Sequence, residues 1–271
     1  MSLQSSTISS LKEIKDPGEI REKIDFTVSN KPVDRVSSDC IWVGVFSTNN
    51  GVELSSSAMV LDKVSKGKIT KVFKSGDFNA KLGANYLLRD IPGILSTRIL
   101  LVGCGQKSKF SGKNYSESIK NATKTMLPLK GVRKIASFLT DLNPEKKDGV
   151  WKLEHHVTSI RDGLYSFNRF KTQGTNSTKP NNKNKKDERK VSVSSVEMIL
   201  PSDMRPKDAA NVILHAQSLS DGIELARDLG NLPPNICTSS YFCNVAKNLS
   251  KHPKIKCEII NKSALEKLGM N

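Results

Sequence analysis

No uninterrupted apolar run in this sequence is long enough to span a bilayer, so a membrane-crossing helix is not expected. The amino-terminal stretch MSLQSSTISSLKEIKDPGEIREK has no apolar core and carries Glu13, Asp16, Glu19 and Glu22. Both features speak against a secretory signal and an acid-poor transit peptide, and a cytoplasmic address with no membrane partner is expected by default. Cysteine pairs of the Cys-x-x-Cys kind are missing too. Cys40, Cys104, Cys237, Cys243 and Cys257 are odd in number and scattered. They read as reduced thiols in or near a core, with no part in metal ligation. There is no His-Glu-x-x-His motif and no internal repeat.

Positive charge is what the chain has in excess. The 271 residues hold 43 Lys and Arg against 27 Asp and Glu, a net charge of +16. Hydrophobic residues make up 37%, enough for a sizeable core in one large domain or two ordinary ones. Part of the charge is local: KTQGTNSTKPNNKNKKDERK, Lys171 to Lys190, holds seven basic and two acidic residues, a net +5. This segment is almost free of apolar residues and reads as a solvated, flexible loop. Lys183, Lys185, Lys186, Arg189 and Lys190 are its candidate polyanion contacts, because clustered lysines displace counterions from nucleic acid. No aromatic residue is interleaved, so base stacking is not suggested.

Strand and helix patterns alternate. Strands are expected at Ile24–Val28, Cys40–Phe46, Asn85–Ile91, Thr97–Gly105 and Lys134–Leu142, and at Val191–Leu200 with a bulge at Ser194–Ser195. A helix should run from Ser56 to the Lys66–Gly67 break, with a short second one reaching Phe73, and another should end at Pro128. Leu153, Val157, Ile160, Leu164 and Phe167 share one helical face, with Lys152 and Arg169 as polar ends. Lys207–Leu229 predicts one long helix with Val212, Ala216, Leu219, Ile223 and Ala226 on a single stripe. Alternation of this kind indicates an α/β layered fold with a mixed or largely parallel sheet.

ARDLGNLPPNICTSSYF, Ala226 to Phe242, reads as a domain entrance. Gly230 suits the left-handed position after a helix, Pro233 and Pro234 prevent its resumption, and Thr238 can cap the next helix. Phe242, Val245, Ala246 and Leu249 give that helix an apolar face. KIKCEII, Lys254–Ile260, predicts a strand, and Ser263 with Glu266 a capping box for a last short helix ending at Gly269.

This entrance, with SALEKLGM downstream, resembles the start of the catalytic domain of the leucyl aminopeptidase family, and most of all its bacterial aminopeptidase A branch. VGVF, GDFNAKLGANYLL, STRILLVGCG, FLTDL and LYSFNRFKT extend the resemblance upstream, from about Lys23 to Met270 apart from the basic loop. The resemblance implies an α/β fold: a macro-like amino-terminal domain with a mixed sheet flanked by helices, a linking helix, then the first elements of an α/β peptidase domain. On that basis residues 1–22 are a polar extension, 23–200 the macro-like domain, 201–230 the linking helix and 231–271 the start of the peptidase domain. It further implies a cytosolic exopeptidase that removes unblocked amino-terminal residues from peptides. Such an enzyme uses two divalent ions, Mn or Zn, and assembles as a hexamer. The family's ligand-bearing segments, of NTDAEGR and DSGG type, do not occur here. No catalytic or metal-binding residue is therefore assigned, and this chain is expected to be a truncated part, inactive by itself and binding no metal. DNA binding through the basic surface, as in some bacterial relatives, is the alternative.

The remaining chemistry reads as structural. His155 and His156 are helical neighbours pointing about 100° apart, unsuited to one metal and expected at the surface. His215 and His252 stand alone. Cys104, in VGCGQ, lacks the glycine spacing of a nucleophile elbow. Gly103 and Gly105 would let a loop approach a phosphate such as that of ADP-ribose, but a tight strand-end turn is the preferred reading.

Overall fold

The structure, a computed structural model, describes residues 24–49, 51–167 and 193–270. The described residues divide into two compact units, one running to Gly222 and a second beginning at Ile223.

The first unit is built on a seven-stranded sheet. Its strands are β1 (Asp25–Ser29), β2 (Cys40–Thr48), β3 (Gly51–Leu54), β4 (Asn85–Arg89), β5 (Arg98–Gln106), β6 (Lys134–Ser137) and β7 (Ser195–Ile199). The order is β1-β7-β6-β2-β5-β4, with β3 paired to β2. Strands β1, β7, β6, β2 and β5 are mutually parallel, while β3 and β4 are antiparallel. The helices are α1 (Ser56–Val64), α2 (Lys68–Lys74), α3 (Gly112–Met126), α4 (Gly149–Leu164) and α5 (Pro206–Asn231).

Side-chain alternation along β2 and β5 explains the layering, since successive residues face opposite sides of a strand. Cys40, Trp42, Leu100, Val102 and Cys104 pack with Tyr115, Ile119, Leu153 and Val157 of α3 and α4. Ile41, Val43, Val45, Ile99 and Leu101 pack with Ala58, Leu61, Ile69 and Val72 of α1 and α2. Helix starts follow short polar residues: the side chains of Ser55, Ser111 and Asp148 accept from the amides of Ala58, Asn114 and Trp151. The mixed sheet flanked by helices matches the fold expected from the sequence.

Several expectations are corrected. The strand predicted through Leu142 stops at Ser137 and gives way to a 3₁₀ turn, Leu139–Asp141. The reason is competition: β6 pairs with Cys40–Trp42 of β2, but Val45–Thr48 are already paired with β3. At the start of β7 the amides of Ser194 and Ser195 both donate to the Arg133 carbonyl, at 2.8 and 3.1 Å, the irregularity expected there. Helix α4 ends before Phe167, and Lys152, predicted as a polar end, is buried.

The stripe predicted on α5 holds at Val212 and Ala216, which meet the core, and fails at Leu219, Ile223 and Ala226, which are exposed. Ala209, Ile213, Ala216 and Ser220 face the core, whereas Leu219 and Ile223 are 41% and 45% exposed. Small residues let the helix lie close, and the Ser220 hydroxyl meets its own need by donating to the Ala216 carbonyl at 2.8 Å. Gly230 lies inside α5 rather than beyond it. The helix stops because Leu232 precedes Pro233, and a residue before proline disfavours helical backbone.

In the second unit Thr238 caps α6 (Ser239–Leu249) as expected, accepting from the Tyr241 amide. Of the four predicted face residues only Val245 is buried, and Phe242 and Leu249 remain exposed. Lys254–Ile260 forms no strand. The cap of α7 (Lys262–Lys267) is Asn261, which accepts from Ala264, and not Ser263.

Candidate functional site

The parallel strands direct their carboxyl ends to one edge of the sheet. From β2 the chain leads through β3 into α1 and α2 on one face, whereas β5 leads into α3 on the other. Adjacent parallel strands whose continuations leave to opposite faces open a crevice at their carboxyl ends. A cavity of about 480 Å³ lies there, lined by Ser47, Thr48, Asn49, Gln106, Lys107 and Ser108. The Lys107 ammonium is paired with Glu53 of β3. The described lining therefore offers hydroxyls, amides and an ion pair, a set that binds polar groups but has no nucleophile beside a base. None of these residues was singled out from sequence, although polar runs directly after two buried strands were a usable signal.

Gly103 and Gly105 have a structural role. A Cβ on Gly103 would lie 2.2 Å from the Lys81 carbonyl oxygen and 2.6 Å from that of Ala84. The Gly103 amide donates to the Ala84 carbonyl at 2.7 Å, and Gly105, at φ +73°, donates to Ala80 at 3.1 Å. The chain's own backbone thus fills the space that a phosphate would need. Cys104 is fully buried, and burial pushes its thiol up to about 12, which removes it as a nucleophile.

His156, expected at the surface, is fully buried on α4 against Tyr115 of α3. Its Nδ1 lies 3.1 Å from the Tyr115 hydroxyl, itself 3.3 Å from the Lys152 carbonyl. Desolvation lowers its pKa to about 3, so the ring is neutral at any ordinary pH. The amphipathic pattern of α4 could not reveal this, because a histidine one position from the apolar stripe reads as polar. His155 stacks on Trp151 with centroids 3.8 Å apart. His215 Nδ1 lies 3.6 Å from Glu154, and His252 Nδ1 accepts from the Lys254 amide. Among the described residues no three His, Cys, Asp or Glu side chains converge as a metal-binding group. Lys183, Lys185, Lys186, Arg189 and Lys190 lie outside the described residues. Also among the described residues, no helix is long and apolar enough to cross a membrane.

Comparison with known proteins decides the family. Residues 42–174 match the model of the cytosol aminopeptidase family, N-terminal domain. A probable cytosol aminopeptidase of Buchnera aphidicola is 35% identical over 86% of this chain and 44% of its own length. The cytosol aminopeptidase of Vibrio cholerae is 34% identical over 91% of this chain and 46% of its own.

These residues are an N-terminal domain of the cytosol aminopeptidase family.

A mutant of tomato leucine aminopeptidase shares the fold, with a TM-score of 0.72 and 21% identity over 93% of this chain and 47% of that one. The bottromycin maturation enzyme BotP, solved in complex with Mn, gives 0.60 at 14% identity over 86% of this chain and 40% of that one. This chain of the cytosol aminopeptidase family spans a little under half the length of the curated relatives it matches.

Proposed function

We propose that this chain serves a cytosol aminopeptidase as its amino-terminal scaffold, within an enzyme that removes unblocked amino-terminal residues from peptides. The observation that carries the reading is the match to the family's N-terminal domain, together with likeness to proteins named cytosol aminopeptidase over 86–91% of the chain. The described residues do not fit a metal centre, and no step of hydrolysis is drawn through them. In this reading the two divalent ions, the bound peptide and the hexameric assembly belong to the whole enzyme. The unit built on the seven-stranded sheet supplies a rigid body, and α5 leads from it into the second unit.

The test is to join the chain, after Met270, to the remaining carboxyl-terminal part of the Vibrio cholerae relative and assay Leu-anilide hydrolysis with Mn²⁺. Activity that chelator abolishes supports the reading. A joined polypeptide that folds and hydrolyses no aminoacyl substrate counts against it.

A further inference from the structure

The two ends of the sheet are finished differently. Beside β1 lies α5, whose Gln217 Nε2 donates to the Ile24 carbonyl at 3.3 Å. Beyond β4 no further strand follows among the described residues. The hydrogen bonds at either end of β4 show which of its groups are used. The Gly103 amide donates to the Ala84 carbonyl at 2.7 Å and the Asp90 amide to the Thr97 carbonyl at 3.2 Å, so the even-numbered positions from 84 to 90 face β5. Alternation along an antiparallel strand then turns the amides and carbonyls of Asn85, Leu87 and Arg89 outward. None of these three amides has an acceptor among the described residues. Sheet edges are commonly blunted by a lysine, a proline or an inward-pointing charge, and NYLLR, the sequence of β4, has no lysine and no proline.

The surroundings of this edge are basic. On one face of the sheet Tyr86 packs against Phe78, with centroids 5.9 Å apart, and Phe78 against Phe73 of α2 at 5.6 Å. On the other face Asn85 Nδ2 donates to the Thr125 hydroxyl of α3 at 2.9 Å. The edge therefore runs between α2 and α3. From Lys63 to Lys81 the sequence holds six lysines against one aspartate, a net +5. Lys68, Lys71, Lys74, Lys81, Arg89 and Lys124 are all exposed, and none of them is in a salt bridge among the described residues.

We propose that the outer edge of β4 binds an extended acidic polypeptide, whose backbone pairs with Asn85, Leu87 and Arg89 and whose carboxylates meet Lys71, Lys74, Lys81 and Lys124. Backbone donors and acceptors repeating every second residue fit another extended backbone, which supplies both at the same interval. The unpaired cations on either side choose its charge. A second copy of this chain fits less well, because joining two β4 edges would bring two lysine-rich rims together. A nucleic acid would answer the charge but leave the strand's carbonyls without donors. The inference goes beyond the aminopeptidase reading and does not depend on it.

The probe is a synthetic twelve-residue peptide of alternating Glu and Val, acetylated and amidated so that it has no amino terminus to remove. Bound to the full 271-residue chain, it should slow amide exchange at Leu87 and Arg89 by about tenfold or more and leave Tyr86 and Leu88, already paired with β5, unchanged. A peptide of alternating Glu and Pro carries the same charge with half the amides, and should bind about tenfold more weakly. Lys71→Glu combined with Lys74→Glu should weaken the Glu-Val peptide by about tenfold, whereas Lys254→Glu, an exposed site in the second unit, should change its affinity by less than about twofold. Equal affinity for the two peptides would reduce the site to charge alone and overturn the inference, as would affinity indifferent to the Lys71 and Lys74 reversals. Exchange at Leu87 that stays fast with peptide bound overturns it too, and so does slow exchange without peptide that follows self-association of the chain. A twelve-base-pair DNA duplex that slowed Leu87 and Arg89 in the same way would assign the surface to nucleic acid instead.

Discussion

The Tyr115 hydroxyl and His156 Nδ1 lie 3.1 Å apart inside the first unit, joining α3 to α4. The phenol is also 3.3 Å from the Lys152 carbonyl. One arrangement satisfies both hydrogens: Nδ1–H donates to the phenol oxygen and the phenol donates to the carbonyl. Only the Nε2 lone pair then goes without a partner.

This pair makes stability sensitive to acid. The His156 pKa falls from 6.5 to about 3 in the folded state, through desolvation, so below pH 6.5 the unfolded chain takes up a proton that the folded one refuses. Its contribution to stability is lost as pH falls from 6.5 towards 3, by about 1.4 kcal/mol per pH unit. His156→Gln keeps an amide donor for the phenol oxygen and does not titrate. Denaturant unfolding between pH 6 and pH 4 should show a slope about one proton shallower in the variant; equal slopes would remove the assignment.

Gly103 is irreplaceable for a steric reason. Its Cβ position lies 2.2 Å from one backbone oxygen and 2.6 Å from another, and backbone cannot swing aside as a flexible side chain does. Gly103→Ala should cost about 3 kcal/mol. Gly131→Ala, where a Cβ meets nothing but φ is +75°, isolates the conformational cost and should lose about 1 kcal/mol. A Gly103→Ala protein as stable as the parent would show that the Ala80–Ala84 loop does not pack as described.

Asp62 caps a helix it does not belong to. Gly67 stands at the cap position of α2 and has no side chain, and Asp62 supplies the missing oxygen to the Thr70 amide at 2.9 Å. A second contact reaches the Thr70 hydroxyl at 2.5 Å. Asp62→Ala should destabilise the first unit by about 1 kcal/mol, and Asp62→Asn by clearly less, since an amide oxygen still accepts. Thermal melts of the two variants test the order.

The cysteines should react in order of burial. Cys257 is exposed, whereas burial raises the thiols of Cys40 and Cys104 to about 12. Thiol reagent at pH 8 should label Cys257 first and reach Cys40 and Cys104 only at the rate of unfolding. Mass spectrometry of labelled peptides reads the order, and early labelling of Cys104 would contradict the packing of α3 on β5.

Much of the sheet was legible because its information is local. Cys40–Phe46 and Thr97–Gly105 are continuous apolar runs bounded by polar residues, and Thr238 sits one residue before a helical pattern. Where the sequence misled, the deciding fact was elsewhere in the chain. Lys134–Leu142 is cut short by β3, which occupies the rest of β2. The face of α5 is set by Ala209, Ile213, Ala216 and Ser220, while the large apolar Leu219 and Ile223 stay exposed. His156 is buried because α3 offers it Tyr115. KIKCEII has no strand to pair with among the described residues, and the crevice beside Lys107 exists because adjacent strands send their chains to opposite faces.

The most direct measurement is an aminopeptidase assay on the isolated 271-residue chain. It should release no anilide from Leu-anilide in the presence of Mn²⁺ or Zn²⁺ beyond the buffer rate. Turnover proportional to the amount of this chain, and abolished by chelator, would place the catalytic centre among these residues and contradict the proposed scaffold role.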